Sequence, residues 1–505
     1  MHLSPLFRLP LSAFRFPLAA LLLPVLLAAC ANRYAALAPD DAASPPLAHP
    51  AQSAKLAVAP SVPEDSVLST QYSVLSDAAG PHDAANVVPA AAEAEMPSLT
   101  LVELEQIALE SNPTLMQLAA VVDKARGIHE QVGLYPNPSV GYSASEIGNE
   151  GKAGQQGGFI GQTIVTGGKL RLNRDVACWN IQELSWEYQA QRLRVQNDVR
   201  RRYYDVIGSR RRMAIAADLL KIAEAGAKIA EQLLKAKQAS KADVLQARID
   251  LNRVRIIQQN AKIDYDAAWR RLTAVLGRPT MSPQPLAGTL TGAVPSWKWD
   301  SAWEKLAGGS PQIQAARSRV QRALMEIRRQ EVQPIPNLST QFSVQQDAGT
   351  GDTIAGVQIG VPLPVFNRNQ GNIRVAQSEY HRTIRDVQRL ELQLRDGLAT
   401  AFRNFRQAEN QVARYEQGIL DNARESLKLT EESYEARQVS FLRVLTARRT
   451  YFEANLQYVE ALIALRQASV VIDGFVLTGG LTDVPDIASR PFSGLGQRGQ
   501  ALSGQ

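Results

Sequence analysis

The sequence contains an internal repeat with a spacing of about 200 residues. The motif Ala-x-Gln-x-Ser-x-x-x-Val-Leu-x-Ala-Arg occurs at residues 236–248 and again at residues 436–448. Elsewhere the two halves align with this spacing to within two residues, so that the Pro-x-Pro at 136–138 matches the one at 334–336. Solenoid repeats are only about 20–50 residues long. The spacing therefore predicts two copies of a domain-sized unit.

Each unit begins with a pair of helical patterns that is followed by proline. In residues 113–133, for example, Leu115, Leu118 and Val122 keep the helical period. Proline lacks an amide donor and favours an extended predecessor, so we expect each second helix to end before its Pro-x-Pro. The predicted helices are 100–110 and 113–133 in the first unit, and 300–307 and 311–332 in the second.

Two short stretches with a period of two come next in each unit. In residues 338–345, Leu, Thr, Phe and Val alternate with Ser and Gln. Such alternation predicts strands with one apolar face and one polar face. The predicted strands are 139–147, 158–165, 338–345 and 354–363, joined into two hairpins by the glycine-rich polar segments 148–157 and 346–353.

A proline-free helical stretch follows each hairpin, at about 168–236 and 368–436. At 1.5 Å per residue, roughly 69 residues extend about 100 Å. Beyond the repeated motif, a returning helix is predicted at about 240–278 and again at about 440–476. Long charged helices with apolar seams favour coiled-coil packing.

The four strands have the length and the alternation that are typical of transmembrane β-barrels. Four strands cannot close a barrel, because the smallest barrels need about eight. Unpaired strand edges in lipid would leave backbone groups without hydrogen-bond partners. We therefore expect several copies of the chain to assemble if the hairpins enter a membrane, with Ser, Gly, Thr and Gln facing a water-filled lumen.

The N-terminus has the pattern of a lipoprotein signal peptide over residues 1–29. Arg8 and Arg15 precede an apolar stretch that is too short to span a bilayer. The segment Leu27-Ala28-Ala29-Cys30 is similar to the lipobox of bacterial lipoproteins. This similarity implies lipidation of Cys30 and, with Ala31 next in the chain, sorting to the outer membrane. The alternative is a plain signal peptide that is cleaved after Ala29.

Composition sets the remaining boundaries. Residues 30–96 are rich in Ala, Pro, Ser and Asp without periodicity, which predicts a disordered tether. Residues 479–505 are interpreted as a disordered tail in the same way. The two repeats then occupy residues 97–298 and 299–478.

Several classes of function are excluded by composition. Two cysteines and five widely separated histidines cannot form the common zinc sites. We expect no metal site, no cofactor and no catalytic residue, and therefore no enzyme. The formal net charge is +6, but Lys and Arg are interspersed with Asp and Glu throughout. This pattern indicates solvated helix faces and not nucleic-acid binding.

The hairpin-bearing repeats, the Pro-x-Pro motifs and the repeated Gln-x-Ser motif together resemble the TolC family of outer-membrane efflux proteins. The resemblance implies a mainly α fold with a membrane β-barrel contribution, in which a homotrimer forms a 12-stranded β-barrel and a long periplasmic α-helical barrel. It also implies a passive exit duct that contacts outer-membrane lipid, a periplasmic adaptor protein and an inner-membrane pump of the RND type. The segments LYPNP at 134–138 and TGGKL at 166–170 are similar to the cobalt-zinc-cadmium subgroup, which implies heavy-metal cations as cargo.

In that family the two helical corners are tips at which the adaptor docks and the tunnel narrows. The resemblance assigns this role to Gln238, Ser240, Asp243, Val244 and Leu245 in one tip, and to Gln438, Ser440, Arg443, Val444 and Leu445 in the other. For the four Val and Leu residues, packing within the hairpin is the alternative.

The tips also depart from the family pattern. Many members have Gly where Lys237 and Arg437 stand, and some have Asp at the position of Arg443. A base at this position is inconsistent with a cation-selective acidic ring there. Alternatively, Arg443 pairs with a carboxylate such as Asp243 and holds the tips shut.

Other functions stay open at this stage. Within the duct class, the alternatives to metal export are multidrug export and type I protein secretion. A pore-less periplasmic coiled-coil lipoprotein is a further alternative, although the alternating strands argue against it. An adaptor protein would need a lipoyl-like β-domain, and the sequence has no glycine-punctuated strand series beyond the four strands.

Overall fold

A computed structural model describes residues 98–151, 153–237, 239–436 and 438–482. The predicted signal peptide, the lipidation site Cys30 and the predicted tether lie outside the described residues, as do Gln238 and most of the predicted tail. All of the structure below belongs to one compact unit.

The first repeat contains four helices and two strands. Thr100 begins it with a reciprocal cap, since its hydroxyl accepts a hydrogen bond from the Glu103 amide while the Glu103 carboxylate accepts one from the Thr100 amide. Its elements are α1 (Leu101–Ser111), α2 (Pro113–Gln131), β1 (Ser139–Ser145), β2 (Gln155–Ile164), α3 (Lys169–Lys235) and α4 (Lys241–Val275).

The second repeat has the same order of elements, with one difference. Its elements are α5 (Trp299–Gly309), α6 (Pro311–Glu331), β3 (Leu338–Asp347), β4 (Thr353–Gly360), α7 (Gln370–Arg414), α8 (Leu420–Glu435) and α9 (Phe441–Asp473). The helical stretch predicted at about 368–436 is present from Gln370 to Glu435, but a wide π-type turn at Tyr415–Ile419 divides it into α7 and α8. Gly418 leaves the helical conformation inside this turn, whereas α3 continues without interruption over 67 residues.

The two predicted hairpins join into one antiparallel sheet with the strand order β1-β2-β3-β4. The pairing of β2 with β3 connects the two repeats. The register also corrects the alignment of the repeats. Ser139 pairs with Gly161 and Ser339 pairs with Gly360, and each serine hydroxyl donates to the carbonyl of its glycine, at 3.3 and 2.9 Å. Equivalent positions before β1 and β3 are therefore 200 residues apart, not 198.

The sheet has the two faces that the alternation predicts. Val140, Ile160, Phe342 and Val357 form one row across all four strands, and the outermost two are 77% and 73% exposed. The opposite face carries mostly Ser, Gly, Thr and Gln. Phe159 is an exception there, and it fits because its partner is Gly141, where a Cβ atom would lie 2.5 Å from the Phe159 ring. Ile354 is a second exception.

The helices of the two repeats pack on one another along their length. Helix α3 contacts α1, α2, α4, α6 and α9, and α7 contacts α5, α6 and α9. The main core lies where these helices meet the short α1 and α5. Its largest fully buried members include Leu104, Leu272, Leu398 and Phe405. Gly208 permits a close approach of α3 and α9, since a Cβ atom there would overlap the Ile463 side chain.

A buried ion cluster also joins the repeats. The Glu183 side chain on α3 is fully buried, and its Oε1 lies 2.8 Å from Arg319 Nε on α6. Its Oε2 lies 3.2 Å from Arg322 Nη1, which also donates to Asn180 Oδ1 at 2.5 Å. A buried charge is tolerated only when it is paired, so this cluster fixes how α6 sits on α3.

The turn between α3 and α4 contains a residue with a left-handed backbone. Lys237 has a φ of +56°, and the Ala239 amide donates to the Leu233 carbonyl to complete the C-terminal cap of α3. A side chain disfavours this backbone region, which glycine adopts freely. The glycine that is common at this position in the resembled family therefore has a geometric reason.

Glu183→Gln is expected to lower the free energy of unfolding by about 3 kcal/mol, because it removes the fully buried negative charge that two partly buried arginine side chains share. Thermal and urea unfolding of the purified chain in detergent, followed by circular dichroism, would measure the change. Glu409→Gln is the matched control, since Glu409 pairs with Arg406 on the exposed side of α7 and should cost less than about 0.5 kcal/mol. Equal losses for the two variants would contradict the role of the cluster.

Lys237→Gly is expected to raise the stability of the first tip by about 0.5–1 kcal/mol by removing the left-handed backbone cost. Lys228→Gly, at an exposed position inside α3, should lower stability by about 1 kcal/mol. Hydrogen exchange of the amides in residues 228–236 would report both changes. If both variants raised the stability, or both lowered it, the left-handed backbone of Lys237 would not be the cause.

Candidate functional site

The predicted site residues lie in two turns that the repeat makes equivalent. We define the first tip as residues 236–245, between α3 and α4, and the second tip as residues 436–445, between α8 and α9. Helix α3 begins five residues after β2 and has 67 residues, so the first tip lies about 100 Å along the helix from the sheet. The sheet and the tips are thus the two ends of the same long helices.

The first tip is rigidly capped. Ser240 is the N-cap of α4, and the Asp243 carboxylate accepts hydrogen bonds from the Ser240 amide at 2.9 Å and the Ser240 hydroxyl at 2.8 Å. These hydrogen bonds lower the pKa of the Asp243 carboxyl below its ordinary value. Val244 is buried with Ala227, Ala230 and Ala247 between the two helices, whereas Leu245 is half exposed.

The second tip lacks this cap. Ser440 has the same extended N-cap backbone, but its side chain makes no capping hydrogen bond. The reason is the residue three positions later, because Arg443 replaces the carboxylate that completes the cap in the first tip. A cation in the first turn of α9 also faces the positive end of the helix dipole. Val444 is buried like Val244, and Gln438, Ser440 and Arg443 are exposed.

The structure does not bring Asp243 and Arg443 into an ion pair among the described residues. The Asp243 carboxylate is directed at Ser240 instead. The Arg443 side chain borders a shallow groove of about 490 Å³ along the α8–α9 hairpin, together with Asn422, Glu425 and Thr430. The predicted lock between these two residues is therefore not formed in this structure.

A pair of equivalent ion pairs was missed by the sequence-based prediction. Arg248 Nη2 lies 2.8 Å from Glu231 Oε1 in the first hairpin, and Arg448 Nη2 lies 2.7 Å from Glu431 Oε1 in the second. Both arginines end the repeated motif, and the two glutamates are also 200 residues apart. This coincidence of spacing was a usable signal. Each pair connects the two helices of its hairpin just above the tip.

A groove of about 590 Å³ separates the two hairpins near the tips. Its floor is apolar and its rim carries charges such as Asp250, Arg253 and Glu453. Leu445 lines this groove, so its side chain is available on the surface between the hairpins. The apolar lining consists of Leu219, Ile222, Val254, Ile256, Ile257, Leu442, Leu445, Phe452 and Leu456.

The polar face of the sheet is the second candidate site. Within the strands its central side chains carry no charge. The uncharged polar members are Ser139, Ser143, Ser145, Gln155, Thr163, Ser339, Gln341, Ser343, Gln345 and Gln358, and Asp347 adds one carboxylate at the end of β3. Small hydroxyl and amide groups of this kind hold water without binding an ion tightly.

Within the described residues, no three His, Cys, Asp or Glu side chains are placed to hold a metal ion together. In the same part of the chain, no helix combines the length and the apolar character that a bilayer span requires.

Comparison with known proteins identifies relatives over most of the chain. The chain is 26% identical over 386 residues to the cobalt-zinc-cadmium resistance protein CzcC of Cupriavidus metallidurans, covering 74% of this chain and 89% of that protein. Its fold is similar to a crystal structure of CusC, with a TM-score of 0.63, 16% identity, and coverage of 75% of this chain and 92% of that one. It is also similar to the outer membrane protein VceC of Vibrio cholerae, with a TM-score of 0.62, 16% identity, and coverage of 75% and 96%.

The two repeats themselves match a known family. The family model described as outer membrane efflux protein matches residues 104–278 and 303–474. These two segments contain most of the helical residues of both repeats, all four described strands and both tips. The chain therefore belongs to the outer membrane efflux protein family.

Proposed function

We propose that three copies of this chain form the outer-membrane exit duct of a tripartite efflux system, docked to a periplasmic adaptor protein and an inner-membrane pump of the RND type. One observation carries the proposal. A sheet with an apolar face and a polar face, on which Asp347 is the one charged side chain of the described strands, continues directly into helices about 100 Å long. A lipid-embedded pore and a periplasmic tunnel require these two parts in this order. The family is one of efflux channels and not of enzymes.

The free strand edges support a trimer. The four strands leave β1 and β4 with unpaired edges in the described structure, and lipid offers no hydrogen bonds to such edges. Pairing β4 of one copy with β1 of the next would satisfy both edges. Three copies would supply about 12 strands, within the range of known membrane barrels.

The name of the relative CzcC supports heavy-metal cations as the cargo. A duct for such cations needs no binding site of its own, and a polar face of hydroxyl and amide groups with the single carboxylate of Asp347 is compatible with their passage. Multidrug export or type I protein secretion through the same duct is the alternative. We also propose that Cys30 carries a lipid anchor in the outer membrane, with the strands as the second membrane contact.

We assign adaptor docking to the two tips, with the predicted residues Gln238, Ser240, Asp243, Val244, Leu245, Gln438, Ser440, Arg443, Val444 and Leu445. The exposed polar groups and Leu245 and Leu445 would contact the partner. The buried Val244 and Val444 would hold the hairpins in shape. Because the first tip is capped and the second is not, the second is the easier one for an adaptor to reshape.

In planar bilayers the purified chain is expected to give unitary currents, whereas a pore-less coiled-coil lipoprotein would give none. Gln345→Lys places a charge on the polar face and should shift the reversal potential towards anion permeability. Gln346→Lys is the matched control, because Gln346 is the next residue and lies on the opposite face. Single-channel recording in a salt gradient measures both. Absence of currents would contradict the duct. Equal shifts of the reversal potential in the two variants would contradict the assignment of Gln345 to the face that lines the pore.

Gln438→Ala combined with Arg443→Ala is expected to reduce export at least tenfold and to leave trimers in the outer membrane, since both side chains are exposed at the second tip. Growth in cobalt, zinc or cadmium salts, in cells that carry the whole system, measures export. Arg424→Ala combined with Lys428→Ala on the exposed side of α8 is the control. Unchanged growth of the tip variant would contradict adaptor docking at the tips. If cells that carry the unaltered chain show no metal tolerance, heavy-metal cations are not the cargo.

A further inference from the structure

The two repeats contact each other where strands join helices. We define the inner junction as the segment 162–168, which connects β2 to α3. It packs on residues 334–337, which precede β3. Lys169 Nζ donates to Asn337 Oδ1 at 2.8 Å and to the Ile335 carbonyl, and the Thr166 hydroxyl donates to the Pro336 carbonyl. A Cβ atom on Gly167 would lie 3.2 Å from Ile335 Cβ, so the two segments touch closely.

The repeat supplies a second copy of both surfaces. The register of the sheet makes Asn137 the equivalent of Asn337, and Tyr135 the equivalent of Ile335. The outer junction, which we define as residues 361–369 between β4 and α7, is the equivalent of the inner junction. It is two residues longer, because the N-cap of the helix follows Gly360 by nine positions and follows Gly161 by seven.

Residues 134–138 and the outer junction cannot meet within one chain. Residues 134–138 precede β1 and the outer junction follows β4, and these strands are the opposite edges of the sheet. Three strand spacings of about 4.8 Å separate them. Both surfaces are exposed and apolar as a result. Tyr135 is 67% exposed, Leu363 is 79% exposed and Phe366 is 92% exposed.

Both surfaces lie at the same end of the sheet. Strand β1 begins at Ser139, β4 ends at Gly360, and the register places these residues within two positions of one another along the strands. If β4 of one copy pairs with β1 of the next, the outer junction of the first copy is brought onto residues 134–138 of the second. The strand pairing would then repeat between copies the arrangement that β2 and β3 have within one chain.

We propose that the outer junction of one copy packs on Tyr135 and Asn137 of the next copy, reproducing between chains the contact that the inner junction makes within the chain. The proposal rests on the assembly described under Proposed function. The Pro136 carbonyl already accepts a hydrogen bond from Gln162 Nε2 of its own chain. The occupant is a second copy and not lipid, because lipid tails would offer no donor to the Tyr135 carbonyl and the Asn137 side-chain oxygen, the equivalents of the two acceptors that Lys169 uses. Gln370 stands at the helix position equivalent to Lys169. The exposed Arg368, two residues earlier, would supply the cation in the contact between copies.

Site-specific photocrosslinking of the full chain tests this contact. The photoreactive residue p-benzoylphenylalanine replaces Phe366 in one variant and Tyr135 in another, so that each side of the contact is probed by an aromatic substitution on the surface. After irradiation of outer membranes, denaturing electrophoresis should show dimers and trimers. Mass spectrometry should join position 366 to the peptide containing residues 134–138 of another chain. The same residue at Val102, which is 73% exposed at the start of α1, is the control and should give no such peptide.

The mass of the assembly in detergent, measured on the same preparation, separates the possible failures. A trimer in which both probes give only lipid adducts, only products within one chain or no product would overturn the junction contact and leave the duct standing. A chain that remains monomeric in the membrane would overturn both the contact and the assembly.

Discussion

Backbone hydrogen bonding at the edges of the four-stranded sheet is the constraint on which the rest of the molecule depends. Strands β2 and β3 satisfy each other across the repeat boundary, and this pairing places the two long helical hairpins side by side. The outer edges of β1 and β4 have no such partner within the described chain. In water this would be a hazard for aggregation, and in lipid it would be prohibitive. The sheet of one chain thus contains one of the two kinds of edge pairing, and the assembly proposed above would supply the other by pairing β4 of one copy with β1 of the next.

The two repeats keep the same order of elements but differ in rigidity. The first hairpin has an unbroken α3 and a reciprocal cap formed by Ser240 and Asp243. The second has a π-type turn at Tyr415–Ile419 and an uncapped start of α9. Two hydrogen bonds brace this turn, from the Tyr415 hydroxyl to Gln457 and from the Tyr458 hydroxyl to Glu416, both at 2.7 Å. Burial and the carboxylate of Glu416 raise the pKa of Tyr458 to about 12, so this hydroxyl remains a donor throughout the physiological range.

Local patterns in the sequence predicted most of the elements, because helices and strands follow from periodicity, proline and caps. The helices 100–110 and 311–332 agree with α1 and α6 to within two residues. Contacts that depend on three-dimensional pairing were not predictable in this way. The sequence alignment placed the segments before β1 and β3 198 residues apart. Their true spacing of 200 residues became visible only through the pairs of Ser139 with Gly161 and Ser339 with Gly360. Likewise, Glu183 resembled an ordinary charged helix residue until α6 was placed against it. At the tips, the sequence identified Asp243 as a candidate contact, but its carboxylate is occupied by the cap of its own helix.

The distribution of charge follows from what a conduit must do. A cation that binds strongly in a passage leaves it slowly, so throughput favours surfaces that hydrate an ion without coordinating it. The hydroxyl and amide groups on the polar face of the sheet have this character, and in the described residues no cluster of ligands interrupts it. The buried charges of the described residues lie elsewhere, at Glu183 and Arg329 among the helices and at Lys169 where β2 joins α3. Charge in this chain is therefore used to hold helices together, and in the proposed efflux system selection among cargoes would fall to the partner that delivers them.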